Sequence, residues 1–348
     1  MMKTYNKLYT KLCSKENILL AFNKAKKGKS KKDYVIDFQL NLEYNLNELR
    51  DELINKRYLP SPLKKFIIRD PKTRIIHSSI FRDRIIHHAI VNLLEPIFEK
   101  IFIYDSFASR KNKGTHSAVK RFRQFINKVS NNGSLIKNPY SNNSIKGFVL
   151  KADIKHYFDS IDHKVLINII KRKITDKDLI EVIEKVLNNF ETEKGKGLPL
   201  GNYTSQFFAN VYLNELDYYV KHILKVKYYI RYVDDFVILH KNKKRLEYFK
   251  NCIENFLPCL KIKLHPDKTK IYALRNGINF LGYRVFYYYI LLRKRNIKYF
   301  KKKFKELIKL NEEELNNRLA GYNGYFIFAS SYNLQKDILS LKNSYEII

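Results

Sequence analysis

Two adjacent carboxylates are the side chains of this sequence best placed to do chemistry. Asp234 and Asp235 stand between two strongly apolar runs, residues 228–232 and 236–240, with only Val233 added to the connection. The runs predict two β-strands joined by a tight hairpin, whose tip holds both carboxylates side by side and off the core. Taken alone, the pair also fits an ordinary β-turn, because Asp is common in turns and disfavoured in strands.

A third carboxylate, Asp153, lies near the end of a separate apolar run, residues 147–154, far upstream. If that strand pairs with the hairpin, three carboxylates converge, and their mutual repulsion raises the pKa of one of them. Hard divalent cations remove the conflict, since Mg²⁺ takes oxygen ligands from carboxylates, water and substrate phosphates. Two such ions about 4 Å apart can activate an attacking hydroxyl and stabilise the leaving oxygen of an in-line phosphoryl transfer.

The net charge indicates which polymer such a site would act on. The 348 residues include 67 Lys and Arg against 34 Asp and Glu, a formal net charge of +33. Self-repulsion on that scale disfavours compaction unless a polyanion offsets it. Nucleic acid is the obvious polyanion; an anionic membrane surface and a merely solvated surface in a lysine-rich proteome are the alternatives.

The remaining composition favours a folded protein in a reducing compartment. Hydrophobic residues make up 45% of the chain and aromatic residues 14%, which excludes a mostly disordered protein. No apolar run reaches the roughly 18 residues of a membrane span, and the N-terminus does not resemble a signal peptide. Cys13, Cys252 and Cys259 are too few and too scattered for a disulfide framework or a zinc site. We expect a reduced, intracellular protein that handles nucleic acid and does not bind membranes.

The elements that must position the carboxylates are helices and strands that alternate along the chain. Helical periodicity covers residues 18–27, 40–53, 82–102, 165–190, 205–224, 243–257 and the region from 296 onward. Strands are predicted at residues 64–68, 73–76, 147–154, 228–232 and 236–240, with a last hairpin at 279–285 and 287–292. Residues 69–72 are predicted to be a turn and 131–144 an exposed loop. The fold class predicted is α+β, with a small, mainly antiparallel sheet packed on helices.

The order of these motifs resembles that of reverse transcriptases. The segment Asp153-Ile154-Lys155-His156-Tyr157-Phe158 resembles the first catalytic motif of that family, and Tyr232-Val233-Asp234-Asp235 resembles its YxDD box. The resemblance covers roughly residues 60–292. It implies a right-hand polymerase fold with an N-terminal helical extension at 1–58, fingers at 59–146, a palm at 147–292 with an insertion at about 165–197, and a thumb at 293–348.

The resemblance also implies a catalytic set. Two Mg²⁺ ions, for which Mn²⁺ can substitute, would be bound by Asp153, Ile154, Asp234 and Asp235, with Asp235 contributing less directly. Lys268 matches the motif in which a lysine protonates the departing pyrophosphate, and Lys270 is an alternative.

Nucleotide-binding residues follow from the same match. Phe158 corresponds to the aromatic gate that excludes the 2′-OH of an rNTP, although a core Phe is an equal reading of that residue alone. Arg74 and Lys65, or Lys64 in its place, lie in a basic hairpin where the family clamps the triphosphate; without the resemblance, a solvent-exposed hairpin is the better interpretation. The resemblance also places three residues near the nascent base pair: Leu200, Gly201 and Gln206.

Template and primer contacts are implied at three further segments. Arg82 and Arg84, and then Arg110, Lys111 and Lys113, resemble template-contacting fingers segments; a solvated basic face is the alternative for both. The primer grip corresponds to Phe280, Leu281, Gly282 and Tyr283, which also fit an ordinary β-hairpin. His77, His87 and His88 lack the spacing of a zinc site.

One departure from the common pattern indicates a subfamily. Most reverse transcriptases carry Gln where this chain has Leu200, and Ser-Pro where it has Ser205-Gln206. The departure resembles enzymes of diversity-generating retroelements, which copy a template-repeat RNA into cDNA with errors opposite adenine, for mutagenic retrohoming. The expected partners are template RNA, the primer or cDNA strand, dNTPs and a small basic accessory protein, in the cytoplasm of a prokaryotic or phage-infected cell. The alternatives are a retron-like or phage-defence enzyme that makes cDNA without retrohoming, and a nonenzymatic RNA-binding protein.

Overall fold

The computed structural model describes residues 3–69, 72–135, 145–308, 310–332 and 336. They belong to two compact units, each assembled from separate stretches of chain. The first unit comprises Met1–Ser109, Asp153–Lys225 and Cys252–Pro266, and the second comprises Arg110–Ala152, Val226–Asn251 and Asp267–Ile348.

Helices α1 to α13 are numbered along the described chain. They are Tyr9–Leu12, Lys15–Lys26, Asp33–Leu40, Leu42–Ile54, Phe81–Phe98, Thr115–Val129, Tyr157–Ser160, His163–Lys171, Lys177–Asn188, Tyr203–Tyr218, Lys243–Phe256, Lys294–Leu307 and Glu312–Ile327. Strands β1 to β9 are Lys64–Ile68, Arg74–Ser78, Phe148–Asp153, Tyr229–Tyr232, Asp235–His240, Lys270–Ala273, Ile278–Phe280, Tyr283–Val285 and Ile290–Leu292. No helix among the described residues combines the length and the apolar content needed to cross a membrane.

The first unit is mainly helical, with α5 and α10 in its core. Ile85, Ile86, Ala89 and Ile90 of α5 recur at helical spacing and are buried, as their periodicity predicts. Helices α8 and α9 begin at Asp162 and Asp176, whose carboxylates accept the backbone N–H groups three residues on. Strands β1 and β2 form an isolated antiparallel hairpin that exposes most of its side chains.

The second unit contains a four-stranded sheet in the order β4-β5-β3-β6 and a three-stranded meander, β7-β8-β9. Strand pairs β4–β5 and β3–β6 are antiparallel, as are both pairs of the meander. The α+β class with small antiparallel sheets is therefore confirmed. Strand β3 leaves this sheet at Asp153, where the chain enters the first unit.

Three sequence expectations need correction. The helix predicted at 205–224 ends at Tyr218 and continues as a π-helical turn, Tyr219–Ile223, in which the Leu224 N–H donates to the Tyr219 carbonyl at 2.9 Å. The helix predicted at 165–190 is two helices, α8 and α9. The last hairpin is a meander of three strands, because Leu281 and Gly282 both take positive φ and turn the chain after only three residues.

Some expectations are left open. The predicted turn at 69–72 and loop at 131–144 fall partly outside the described residues, which exclude 70–71 and 136–144. The division into extension, fingers, palm and thumb follows the names used for polymerases and stays a prediction, since the two compact units group the chain differently.

Candidate active site

The β4–β5 hairpin holds Asp234 and Asp235 at its tip. Its strands pair with Tyr232 opposite Asp235, which leaves Val233 and Asp234 as the turn. The apolar side chains of β5 are buried, whereas both carboxylates are partly exposed. Burial of the strands therefore fixes the hairpin and leaves the acids where a hydrated cation can reach them.

The turn is strained and is held from inside the unit. Val233 has a φ of 56°, in the left-handed region that β-branched residues rarely adopt. The Arg231 side chain is fully buried, and its Nη1 donates to the Val233 carbonyl at 3.0 Å. Sequence reasoning missed Arg231. An unpaired buried charge is costly, so an arginine inside an apolar strand indicates that a partner is buried with it.

The first turn of α6 contacts the YxDD segment and the β7–β8 turn region through two side chains. The Thr115 Oγ1 lies 3.1 Å from the hydroxyl of Tyr232, within hydrogen-bond distance. His116 Nε2 lies 2.9 Å from the hydroxyl of Tyr283, and its ring stacks on Phe328 with centroids 4.4 Å apart. Thr115 and His116 directly follow the basic segment that carries Arg110, Lys111 and Lys113, and their contacts with Tyr232 and Tyr283 are visible only in the fold.

Asp153 is fixed by backbone pairing in the first unit. The Asp153 carbonyl accepts the His265 N–H at 2.7 Å, and the Lys155 N–H donates to the Lys263 carbonyl at 2.9 Å. Only 9% of the Asp153 surface is exposed. The backbone around Asp153 is thus held on both sides, which restricts the directions its carboxylate can take.

Within the second unit, strands β3 and β5 are direct neighbours in the four-stranded sheet. A Cβ built on Gly147, just before β3, would lie 3.8 Å from the carbonyl oxygen of His240, the last residue of β5. The start of β3 therefore faces the end of β5, so the two strands run antiparallel.

The carboxylates expected to bind metal are Asp153, Asp234 and Asp235. Within the described ranges, no three His, Cys, Asp or Glu side chains are grouped so that they could hold a metal ion. Asp234 lies in the turn and Asp235 begins β5, so the two carboxylates are not equivalent donors. The donor set still suits Mg²⁺, because two aspartates supply hard oxygens and Ile154 can add only its backbone carbonyl. Metal binding by these residues stays a prediction.

Comparison with known proteins decides the family. Residues 64–285, well over half of the chain, match the family model described as reverse transcriptase (RNA-dependent DNA polymerase). The chain belongs to the reverse transcriptase family. RNA-directed DNA polymerase activity is therefore its enzymatic class, and the family implies a polymerase fold, an RNA template, a primer, dNTPs and a divalent metal.

Similar proteins are found in bacteria and in yeast. The chain is 27% identical over 299 residues to protein YkfC of Escherichia coli, covering 74% of each. It is 30% identical over 195 residues to the group II intron-encoded protein LtrA of Lactococcus lactis, and 25% identical over 362 residues to a putative COX1/OXI3 intron 2 protein of Saccharomyces cerevisiae. The matches span only 30% and 39% of those two intron proteins.

Phe158 of this reverse transcriptase is positioned differently from its neighbour Tyr157. Tyr157 is buried and donates from its hydroxyl to the Ala209 carbonyl at 2.5 Å. Phe158 is partly exposed, and its backbone carbonyl accepts the Leu198 N–H at 2.8 Å. Of the two aromatic residues, Tyr157 therefore fills the core, and the gate role of Phe158 stays a prediction.

The turn at Leu200 and Gly201 packs against β2. The Leu200 carbonyl accepts the His77 N–H at 2.9 Å. Gly201 has a φ of 120°, and a Cβ there would lie 2.6 Å from the Ile76 side chain, so only glycine fits. Gln206 is exposed, and its Oε1 accepts a hydrogen bond from the Ser109 hydroxyl at 3.1 Å. The first unit therefore joins this turn to the strand that carries Arg74.

The predicted triphosphate clamp lies on the exposed β1–β2 hairpin. Arg74 is paired with Ile68 and Lys65 with His77, and both cationic side chains are exposed. Exposed cationic side chains on this hairpin are compatible with phosphate binding, and they are equally compatible with contact to solvent only. Both assignments, and the choice between Lys64 and Lys65, stay predictions.

Two of the predicted template contacts are engaged within the protein. Arg82 forms an ion pair with Glu52. Arg84 donates from Nε to the Ser79 carbonyl and from Nη2 to the Ser78 hydroxyl, both at 2.8 Å. These bonds position the N-terminal helices and the end of β2, so template contact by either arginine would use only the remaining donors.

The segment carrying Arg110, Lys111 and Lys113 is a run of turns before α6. Positive φ at Ser109, Asn112 and Gly114 brings the cations onto a short curved backbone. Lys111 is exposed, and Arg110 and Lys113 are partly exposed. The segment could contact phosphates, and that role stays a prediction.

The predicted primer grip is split between core and surface. Phe280 and Tyr283 are buried, and Phe280 packs on Phe122 with ring centroids 4.9 Å apart. Leu281 and Gly282 form the partly exposed tip, and the Gly282 carbonyl accepts the Tyr325 hydroxyl at 2.7 Å. Only the tip is thus available to touch a primer.

The two lysines proposed for pyrophosphate protonation are both exposed. Lys268 precedes β6, while Lys270 lies within β6 and is paired with Lys151 in the ladder. The structure does not select between them.

His87 and His88 are held by packing and hydrogen bonding within the first unit. Complete burial lowers the pKa of His87 to about 3, and its Nδ1 lies 3.2 Å from the Thr204 hydroxyl. Burial lowers the pKa of His88 to about 4, and its ring stacks on Tyr203 with centroids 4.5 Å apart. Both rings are therefore neutral at pH 7.

Proposed function

We propose that this reverse transcriptase copies a template-repeat RNA into cDNA with frequent errors opposite adenine, and that the cDNA diversifies a target gene by mutagenic retrohoming. The observation that carries this proposal is Leu200 together with Gln206. The backbone of Leu200 is tied to β2, and its partly exposed side chain offers no hydrogen-bonding group. A polar side chain at this position could check the edge of a base or sugar, and leucine cannot.

The catalytic step would use the carboxylate that ends β3 and those at the tip of the β4–β5 hairpin. Asp153, the Ile154 carbonyl and Asp234 are the proposed ligands of Mg²⁺. When bound, the metal supplies charge stabilisation and lowers the pKa of the attacking hydroxyl. The chain itself supplies the fixed orientation, through the His265 bond to Asp153 and the Arg231 bond to the hairpin turn.

Selection of the nucleotide would fall to the first unit. Arg74 and Lys65 would bind the triphosphate, since a guanidinium contacts phosphate through two parallel bonds. Phe158 would lie beneath the ribose and exclude a 2′-OH. Lys268 or Lys270 would return a proton to the pyrophosphate leaving group.

Loss of one polar contact explains relaxed selection in general. A hydrogen bond of about 1 kcal/mol changes the preference for a correct pair several-fold. The restriction of errors to template adenine is part of the proposal by resemblance alone. The small basic accessory protein belongs to the proposal on the same ground.

The experiment is to sequence cDNA made from one defined RNA by the wild type and by Leu200→Gln. Fewer errors opposite adenine, with total cDNA largely kept, would support the proposal. Leu40→Gln, on the exposed face of α3, is the matched control for introducing a glutamine. An accurate wild-type enzyme would contradict the proposal and favour the alternative, cDNA synthesis without retrohoming.

A further inference from the structure

A cleft of about 500 Å³ lies within the first unit, between the ends of α5 and α8 and the last turns of α10. Its walls include Phe98, Ile101, Ile169 and Val211, and its rim carries Arg172, Lys173, Tyr218 and His222. A volume of this size is in the usual range for small-ligand clefts. None of these residues belongs to the catalytic or nucleotide-binding set.

One buried polar group in the cleft is left without a partner. Asn214 lines the cleft with 9% of its surface exposed, and its Oδ1 makes no hydrogen bond within the described residues. An unsatisfied buried amide is unfavourable unless a ligand completes it. The open atom is an acceptor, which can take a hydrogen bond from an amino or ring N–H group on the edge of a nucleobase.

Aromatic rings stand beside this amide. Tyr218 is 57% exposed, and its ring lies 4.6 Å from that of His222, with the planes 35° apart. His222 lies in the π-helical turn, a rare backbone form that is frequent at functional sites. An exposed ring pair of this kind is the platform on which proteins stack the bases of single strands.

The rim supplies positive charge for a phosphate. Helix α8 ends at Lys171, which is paired with Glu184 at 3.3 Å, and Arg172 and Lys173 follow it. The segment 221–225 holds Lys221, His222 and Lys225 without an acidic residue. Glu215 is the acid that lines the cleft, and it is already paired with Arg172 at 2.8 Å. The electrostatic balance therefore favours an anionic ligand over a cationic one.

We propose that this cleft binds one nucleotide of a single-stranded nucleic acid, with the base stacked on Tyr218, the base edge at Asn214, and the phosphate at Lys173 and at the guanidinium donors of Arg172 that Glu215 does not use. Single-stranded template RNA and displaced cDNA share this chemistry. The inference does not depend on the error-prone copying proposed above. It gives the enzyme a second anchor for the strand, separate from the residues that select the incoming nucleotide.

The test uses the full chain, first saturated with a primer–template duplex so that the polymerase groove is occupied. The probe is a single-stranded RNA of about eight nucleotides, within the site sizes of single-strand binders, carrying one 4-thiouridine. We expect ultraviolet crosslinks at the segment holding Tyr218 and His222. Tyr218→Ala should weaken binding about fivefold to a hundredfold, the range for losing one base stack. Tyr44→Ala, another exposed tyrosine, should leave it unchanged.

Two further arms distinguish the outcomes. A DNA oligonucleotide of the same sequence with 4-thiothymidine distinguishes template RNA from displaced cDNA as the ligand. Tighter RNA binding assigns the cleft to the template, and tighter DNA binding assigns it to the cDNA. Asn214→Leu should keep or raise the melting temperature of the protein while lowering its affinity for the probe. Crosslinks confined to other segments, equal affinities of Tyr218→Ala and Tyr44→Ala, or an Asn214→Leu variant that loses stability but not affinity would each overturn the proposal. Primer extension on a short duplex should stay unchanged in Tyr218→Ala.

Discussion

Arg231 Nη1 donates a hydrogen bond to the carbonyl of Val233, 3.0 Å away, across the turn that carries Asp234. The donor is fully buried, and the acceptor belongs to a residue with a φ of 56°. A buried cation thus stabilises a backbone conformation that a valine would not keep by itself. Positioning of the hairpin acid therefore depends on a residue with no role in the chemistry.

Removal of this bond should reduce activity more than stability. We expect Arg231→Met to cost about 1–2 kcal/mol of unfolding free energy, the usual loss when an acceptor is left without its partner. Primer extension should fall by more than about tenfold, since small displacements of a catalytic group are expensive. Arg284→Met is the matched control, because Arg284 donates to the Asn276 carbonyl at 2.8 Å in the meander. Equal effects of the two substitutions on kcat would refute a positioning role.

The carboxylates should be essential for synthesis and dispensable for binding. Asp153→Asn and Asp234→Asn each remove a negative charge from the proposed metal ligands, so primer extension should fall by about a thousandfold or more. RNA affinity, measured on the same preparations, should stay within a few-fold because the basic surface is unchanged. Asp37→Asn on α3 is the control for losing an exposed carboxylate. Substantial extension by either variant would show that the assignment is wrong.

Sugar selection should depend on Phe158. A smaller side chain opens the space beside the ribose, so Phe158→Val should raise rNTP use relative to dNTP use by about tenfold or more. The ratio is measured with single-nucleotide incorporation at saturating primer–template. Tyr104→Ala serves as the control for truncating an exposed aromatic side chain. An unchanged ratio would show that the gate lies elsewhere and that Phe158 only supports the Leu198 backbone.

Periodicity was sufficient to predict most of the elements that frame the site. The apolar runs on both sides of Asp234 predicted β4 and β5 to within one residue of their observed bounds, because strands buried on both faces are continuous in hydrophobicity. Strand β6 was not predicted. Its four residues, Lys270–Ala273, begin with an exposed lysine and gain their pairing only from β3.

The supporting contacts of the site were beyond sequence reasoning. Thr115 and Tyr232 are far apart in the chain, so no local pattern indicates that their side chains lie 3.1 Å apart. The π-helical turn after Tyr218 was also missed, because the apolar periodicity continues through it while the hydrogen-bond spacing changes. The arginines that the resemblance assigned to the template, Arg82 and Arg84, turned out to be bonded within the protein.

Stability should fall as the pH drops below about 6.5, the ordinary pKa of an unfolded histidine. His87 has a folded-state pKa of about 3, so between the two values the unfolded chain binds the extra proton and protonation favours unfolding. Between pH 7 and pH 5 this histidine alone should cost about 2 kcal/mol. Urea unfolding at several pH values measures the slope. The His87→Gln variant should show a shallower slope in this window, and no flattening would rule out His87 as its cause.

Affinity for RNA should weaken steeply with salt, because Lys and Arg release condensed counterions from the phosphates they neutralise. The logarithm of the binding constant should fall linearly with the logarithm of the salt concentration, by about 0.7 per phosphate contacted on a single strand. Lys111→Gln removes one cation from the turns before α6 and should reduce that slope by about 0.7 if Lys111 contacts a phosphate. Lys15→Gln removes the same charge from a lysine that lies 3.7 Å from Glu43. Its slope should match the wild type, which separates a contact from a change in net charge. A flat response in the wild type would mean that the charge of +33 serves a partner other than nucleic acid.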